Sequence, residues 1–157
     1  MSAITLEAIQ AKQTELAKLI KQFSEQPKDA GRTIEIEDRY IELEPGEHYA
    51  GVVLDADGNH MHDLVLLPQH HGKRLNWKAA LEWAEEVGGA LPTRQEQALI
   101  FANCKPYLEG VYHWSCEEYE GDASYACYCT FSLGTQGYGH KTLELAAVAV
   151  RLIPITA

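Results

Sequence analysis

Basic side chains are scarce in this sequence: 13 Lys and Arg stand against 23 Asp and Glu, a net charge of −10 over 157 residues. Sequence-independent nucleic-acid binding needs clustered cations to meet phosphates, so that function class is excluded, and docking on anionic membranes with it. Long apolar runs are missing too. No stretch approaches the roughly 20 apolar residues of a membrane span, so no membrane insertion is expected. The start, Met1-Ser2-Ala3-Ile4-Thr5-Leu6-Glu7, carries neither the basic residues nor the unbroken apolar core of a secretory signal. The expected compartment is therefore the cytoplasm of the producing cell; association with a virion would leave no such mark.

Chemical motifs are equally thin. No Gly-rich phosphate loop occurs. Cys104, Cys116, Cys127 and Cys129 do not form the paired Cys-x-x-Cys of a zinc site, and Cys127 and Cys129 would share one face of a strand, a poor arrangement for a mutual disulfide. They read as reduced thiols acting as small packing residues. Nothing places a nucleophile beside a base. His48, His60, His62, His70 and His71 lack the close spacing of ligands and read as surface or structural residues. The expectation is no enzyme, no catalytic residue, no metal and no cofactor.

What is present begins with a helix over residues 4–24. Leu6, Ile9, Gln13, Leu16, Ile20 and Phe23 recur at alternating spacings of three and four, a heptad seam with Lys12, Glu15, Lys18 and Lys21 outside it. Such a helix either packs on its own domain or forms a short coiled coil. Gln13 favours the coiled coil, because one polar seam residue can fix register and strand number. Residues 1–26 are thus read as an oligomerisation helix. Residues 27–48 follow as a linker with two short strands, Thr33–Glu37 and Tyr40–Glu44, each alternating with an acidic face outward. The acidic face is read as solvated, since an extended chain spreads its carboxylates apart.

Residues 49–157 read as the globular domain. Gly51–Leu54 and Asp63–Leu67 flank Asp55-Ala56-Asp57-Gly58-Asn59, a hairpin turn built on Asp-Gly. The turn lacks the further oxygen ligands and terminal Glu of a calcium loop. Asn76 caps a helix through Trp77, Leu81, Trp83 and Val87 that ends at Gly88-Gly89; Thr93 and Glu96 make a capping box for a second. Beyond Pro106 the chain reads as loop and strand. Hairpin, two helices and a β-rich end describe an α+β domain.

From Tyr112 to Arg151 the residues between apolar anchors are Tyr, Ser, Gly and Thr, the composition of a recognition surface. The series Gly89-x-Leu91-Pro92-Thr93-Arg94-x-Glu96, Tyr112-x-Trp114-Ser115, Tyr125-Ala126, Phe131-x-x-Gly134-x-Gln136, Lys141 and Ala147-x-Ala149-Val150-Arg151 resembles the Lcl-type C-terminal domain family of phages, prophages and bacterial surface proteins. That family is similar in fold to C-type lectins, formylglycine-generating enzymes and the variable proteins of diversity-generating retroelements. The resemblance covers residues 49–154, and phage members carry an N-terminal helix thought to trimerise. It implies a C-type-lectin-like domain behind an oligomerising helix. Trp114, Tyr125, Phe131, Gly134 and Val148–Val150 would be scaffold; Tyr128, Thr130, Ser132, Leu133, Thr135, Gly137, Tyr138, His140 and Thr142 would be changeable surface. Tyr119 joins Tyr128, Tyr138 and His140 as an aromatic contact. The implied partners are a protein or glycan ligand and further copies of the chain, most simply as a trimer; a host defence protein is an alternative partner. The sequence departs from the family at Cys127 (commonly Trp), Cys129 (often Gln) and Ala146 (commonly Arg). Glu44-Pro45-Gly46 only partly matches the calcium-lectin signature. A metal-dependent oxidase is the weakest reading, because Cys127-x-Cys129 has the wrong spacing for that chemistry.

Overall fold

The structure is a computed structural model and describes residues 4–25 and 39–155. The expected strand Thr33–Glu37 lies outside these. Among the described residues the chain divides into two units, one ending at Tyr40 and one beginning at Ile41. In the first, α1 (Leu6–Ser24) is capped by Thr5, whose hydroxyl accepts from Ala8 N–H at 3.3 Å, and it buries none of its residues.

The second unit is α+β, with two three-stranded antiparallel sheets. β1 (His48–Leu54) and β2 (His60–His70) form the hairpin anticipated at Asp57-Gly58. The Asp55 carboxylate accepts from the backbone N–H of Asp57 and Asn59 at 2.9 and 2.8 Å, closing the turn on itself. Hydrogen bonds from Asn59 and Asp57 hold that carboxyl below its ordinary range. α2 (Trp77–Glu86) starts at the Asn76 cap, and Gly88 follows its end with φ +83°. α3 (Arg94–Cys104) starts at the Thr93–Glu96 capping box, with both reciprocal hydrogen bonds formed. β3 (Tyr112–Glu118), β4 (Tyr125–Thr130) and β5 (Thr135–His140) make the second sheet, and β6 (Val148–Pro154) returns to pair with β2.

Residues 40–44 form no strand, contrary to the alternation there. Side chains capture this segment instead of a ladder. The Glu47 carboxylate accepts from Glu44 N–H at 2.8 Å and from two nitrogens of Arg151 at 2.7 and 2.6 Å. Arg151 also donates to the Glu42 carbonyl at 3.0 Å. Alternation alone cannot tell a strand from an extended strap fixed by one half-buried ion pair.

Two buried clusters flank the β3–β4–β5 sheet. One joins Ala50, Leu64, Leu66, Ile100, Cys104, Cys129, Phe131 and Val150; the other joins Leu67, Ala80, Ala84, Leu91, Trp114, Ala126 and Ala149. The run Leu145–Val150 contributes to both. Leu145 exchanges backbone hydrogen bonds with Leu75, Ala146 bonds Tyr112 and Trp114, and Val150 exchanges bonds with Ala90 while pairing with Leu66 in β2. Ala146 is buried here, so the position is not a surface one.

Gly89 approaches this run closely: an added Cβ would sit 2.6 Å from the Val150 carbonyl oxygen and 2.7 Å from Leu67 Cδ1. Gly89→Ala should therefore lower the free energy of unfolding by about 1–3 kcal/mol, the usual cost of overpacking. The matched control is Gly72→Ala, where a Cβ meets nothing within 4 Å. It should stay within about 0.5 kcal/mol of the parent in urea denaturation.

Candidate functional site

Directly paired residues in an antiparallel sheet point to the same face, which sorts the expected surface residues into two groups. Cys127 pairs with Tyr138 and Tyr125 with His140; with Cys129, opposite Gln136 and His113, they define one face. Tyr128, opposite Gly137 and Trp114, and Thr130, opposite Thr135 and Tyr112, define the other.

On the first face the β4–β5 turn end is closed by α3. Gln97 Nε2 donates to the His113 carbonyl at 3.0 Å, and Gln136 Nε2 donates to the Arg94 carbonyl. The Glu117 carboxylate accepts from Arg94 N–H at the first turn of α3, where the helix dipole favours an anion. The opposite end of this face is open and aromatic. Tyr119 lies flat on Tyr138 with ring centroids 3.8 Å apart, and Tyr125 meets Tyr138 and His140 edge-on at 6.0 and 5.4 Å. Tyr138 remains 50% exposed. The Tyr138 hydroxyl beside it lifts the Tyr119 phenol above its ordinary value. His140 Nδ1 is 2.7 Å from the Thr142 hydroxyl, which brings Thr142 into the same group. Lys141 clamps the rim: its ammonium contacts Glu118 at 2.7 Å and lies over the Trp77 ring at 4.4 Å.

The other expected residues lie elsewhere. Thr130, Ser132, Leu133 and Thr135 surround the β4–β5 turn, where the Thr130 and Ser132 hydroxyls are 2.9 Å apart and Leu133 is 78% exposed. A six-residue strand separates that tip from Tyr119, His140 and Thr142, a distance of ~20 Å. Tyr128 faces inward against the second cluster; its ring lies over Gly137 and Gly139, within 3.4 Å of where their Cβ atoms would be. It is a packing residue as much as a surface one. Tyr125, assigned to scaffold by the resemblance, belongs to the aromatic group, and only the register of β4 against β5 reveals this.

The four cysteines are free thiols. Burial pushes all four above the ordinary thiol pKa, Cys116 to about 11 with Glu96 and Glu117 adding to the effect. Arg94 partly opposes this at Cys127, where Glu117 and Glu120 act the other way. A thiol held protonated is a poor nucleophile and a poor metal ligand. Among the described residues no three His, Cys, Asp or Glu side chains are grouped to hold a metal ion, and no helix is long and apolar enough to cross a membrane.

The histidines take up structural contacts. His62 Nε2 is 2.9 Å from Glu96 Oε1, tying β2 to the capping box, and His48 stacks on Tyr107 at 3.4 Å. His113 is buried with Nδ1 2.9 Å from the Val111 carbonyl, and burial lowers its pKa to about 4. Matched against models of known families the sequence finds no counterpart, and it finds none among curated proteins.

The pKa of His113 sets an acid sensitivity. Its folded value lies below the unfolded 6.5, so the unfolded chain binds the proton first. Stability is full above pH 6.5 and falls as pH drops towards 4, by about 3 kcal/mol in all. Glu47, lowered by its hydrogen bonds with Arg151, adds a second loss below its ordinary 4.5. Urea midpoints measured from pH 7.5 to 5 should decline in the parent and be nearly flat over that range in His113→Gln.

Proposed function

We propose that the chain is a non-enzymatic recognition protein of phage or prophage origin, with a C-type-lectin-like unit displayed on an oligomer built by α1. The observation that carries this reading is the open aromatic group of Tyr119, Tyr125, Tyr138 and His140 at one end of the β3–β4–β5 sheet. Rigid aromatic rings offer large contact area at low entropic cost, and neighbouring Ser and Thr hydroxyls supply adaptable hydrogen bonds. The ligand is a protein or a glycan. Thr130, Ser132, Leu133 and Thr135 form a second contact region at the opposite end of the sheet.

The helix supports the oligomeric part. Leu6, Ile9, Leu16, Ile20 and Phe23 of the seam are all exposed, from 44% at Ile9 to 76% at Phe23. Leu19, 55% exposed, lies next to the seam and widens the stripe, which suits three helices better than two. A trimer would convert weak single contacts into avidity through effective concentration. The buried, protonated cysteines weigh against an oxidase. The acidic charge also suits a factor that binds a host defence protein, which would use the same aromatic group.

Light scattering on the intact chain should give a trimer, and Leu16→Glu should dissociate it with the C-terminal unit still folded. A monomeric parent would remove the multivalency argument. Glycan arrays and pull-downs with the parent supply the ligand. Tyr138→Ala should then weaken its binding by at least about tenfold with little loss of stability. Tyr128→Ala should instead cost about 2–3 kcal/mol of stability, because its ring packs on the sheet. Unchanged affinity in Tyr138→Ala would remove the aromatic group from the site.

A further inference from the structure

A cleft of about 540 Å³ lies between the loop from β2 to α2 and the segment that leads into β3, away from the aromatic group. Its size falls within the roughly 300–1,000 Å³ of small-molecule sites. His70, His71 and Arg74 line one side, Tyr107 and Glu109 the other, and the buried His113 lines its floor. The stacking of Tyr107 on His48 at 3.4 Å fixes that wall.

Three of these residues offer complementary chemistry. Arg74 Nη1 and Glu109 Oε2 meet at 2.9 Å although the residues are 35 apart in sequence. Both are well exposed, and an ion pair in contact with water is held weakly and exchanges readily with charges of a ligand. His113 adds an acceptor. Its Nδ1 lies against the Val111 carbonyl, which can only accept, so Nδ1 carries the hydrogen and Nε2 keeps its lone pair. Among the described residues Nε2 makes no hydrogen bond. Burial keeps this imidazole neutral at pH 7, so it remains an acceptor there.

We propose that this cleft binds a small zwitterion, a free amino acid or a compound with the same pair of charges. The carboxylate would take the Arg74 guanidinium and the ammonium the Glu109 carboxylate, the ligand inserting between the two. A plain anion satisfies Arg74 but faces Glu109; a plain cation does the reverse. Only a ligand with both charges replaces the whole ion pair. His113 Nε2 then accepts from an N–H or O–H of the ligand. The site shares no residue with the aromatic group.

The test uses the full chain with ¹⁵N-labelled histidine, titrated with L-serine, with acetate and with ethylamine at equal ionic strength, then with the other common L-amino acids. The expected result is a saturable shift of the His113 side-chain nitrogens with L-serine or another amino acid, and a much weaker one with acetate or ethylamine. Arg74→Ala and Glu109→Ala, both at exposed positions that leave the core intact, should each reduce that affinity at least about tenfold. Two results would overturn the proposal. One is no saturable response to any amino acid. The other is acetate binding as tightly as the best amino acid and persisting in Glu109→Ala, which would make the cleft a simple anion site.

Discussion

Everything in the C-terminal unit depends on the backbone pairing of Leu145–Val150. This run bonds Leu75 before α2, Tyr112 and Trp114 in β3, Ala90 between the helices, and β2 along its continuation into β6. Among the described residues it is the one segment that both sheets and both helix connections share. Its side chains explain why it can be. Ala146, Ala147 and Ala149 are small enough for neighbouring backbones to close in, while Val148 and Val150 fill the space on the first cluster. A segment buried on both sides gains nothing from alternation, so it reads as a continuous apolar run. Gly89 is the counterpart across the contact, where any side chain would strike Val150.

Buried charge does the remaining fastening. Glu47 and Arg151 hold the strap of residues 41–47 to β6, and Glu96 serves two partners, the Thr93 backbone N–H within its capping box and His62 from β2. Each carboxylate has its oxygens occupied, as a buried anion must if the site is not to be costly. Asp63 is buried too and accepts from the Tyr49 hydroxyl at 2.8 Å.

Local signals in the sequence were the dependable ones. The Asp-Gly hairpin, the Asn76 cap and the Thr93–Glu96 box each concern residues within four of one another, and each is found where the pattern puts it. The α+β class follows from those elements. The strand at residues 40–44 failed because its fate is decided by Arg151, more than a hundred residues away. The surface group is divided for a similar reason. The Tyr, Ser and Thr residues of β4, β5 and their turns look continuous in sequence, but strand alternation and the length of β4 distribute them over two faces and two ends. The cleft at Arg74 and Glu109 carries no sequence motif at all, since its two walls come from separate loops.

Cys127 and Cys129 acquire a physical sense from the sheet. Both thiols lie on the face that carries Tyr125 and Tyr138, yet both are buried. Cys129 is small because α3 closes over that end of the face, where Phe131 and Ile100 already fill the cluster. Cys127 stands at the boundary between the closed and open parts, its thiol 3.8 Å from the Glu118 carbonyl and its registered neighbour Tyr138 stacked on Tyr119. A large aromatic at this position would compete with that stack for the same space. A small side chain lets two tyrosines from different segments meet there, so the aromatic group and the cysteine beneath it are a single packing solution.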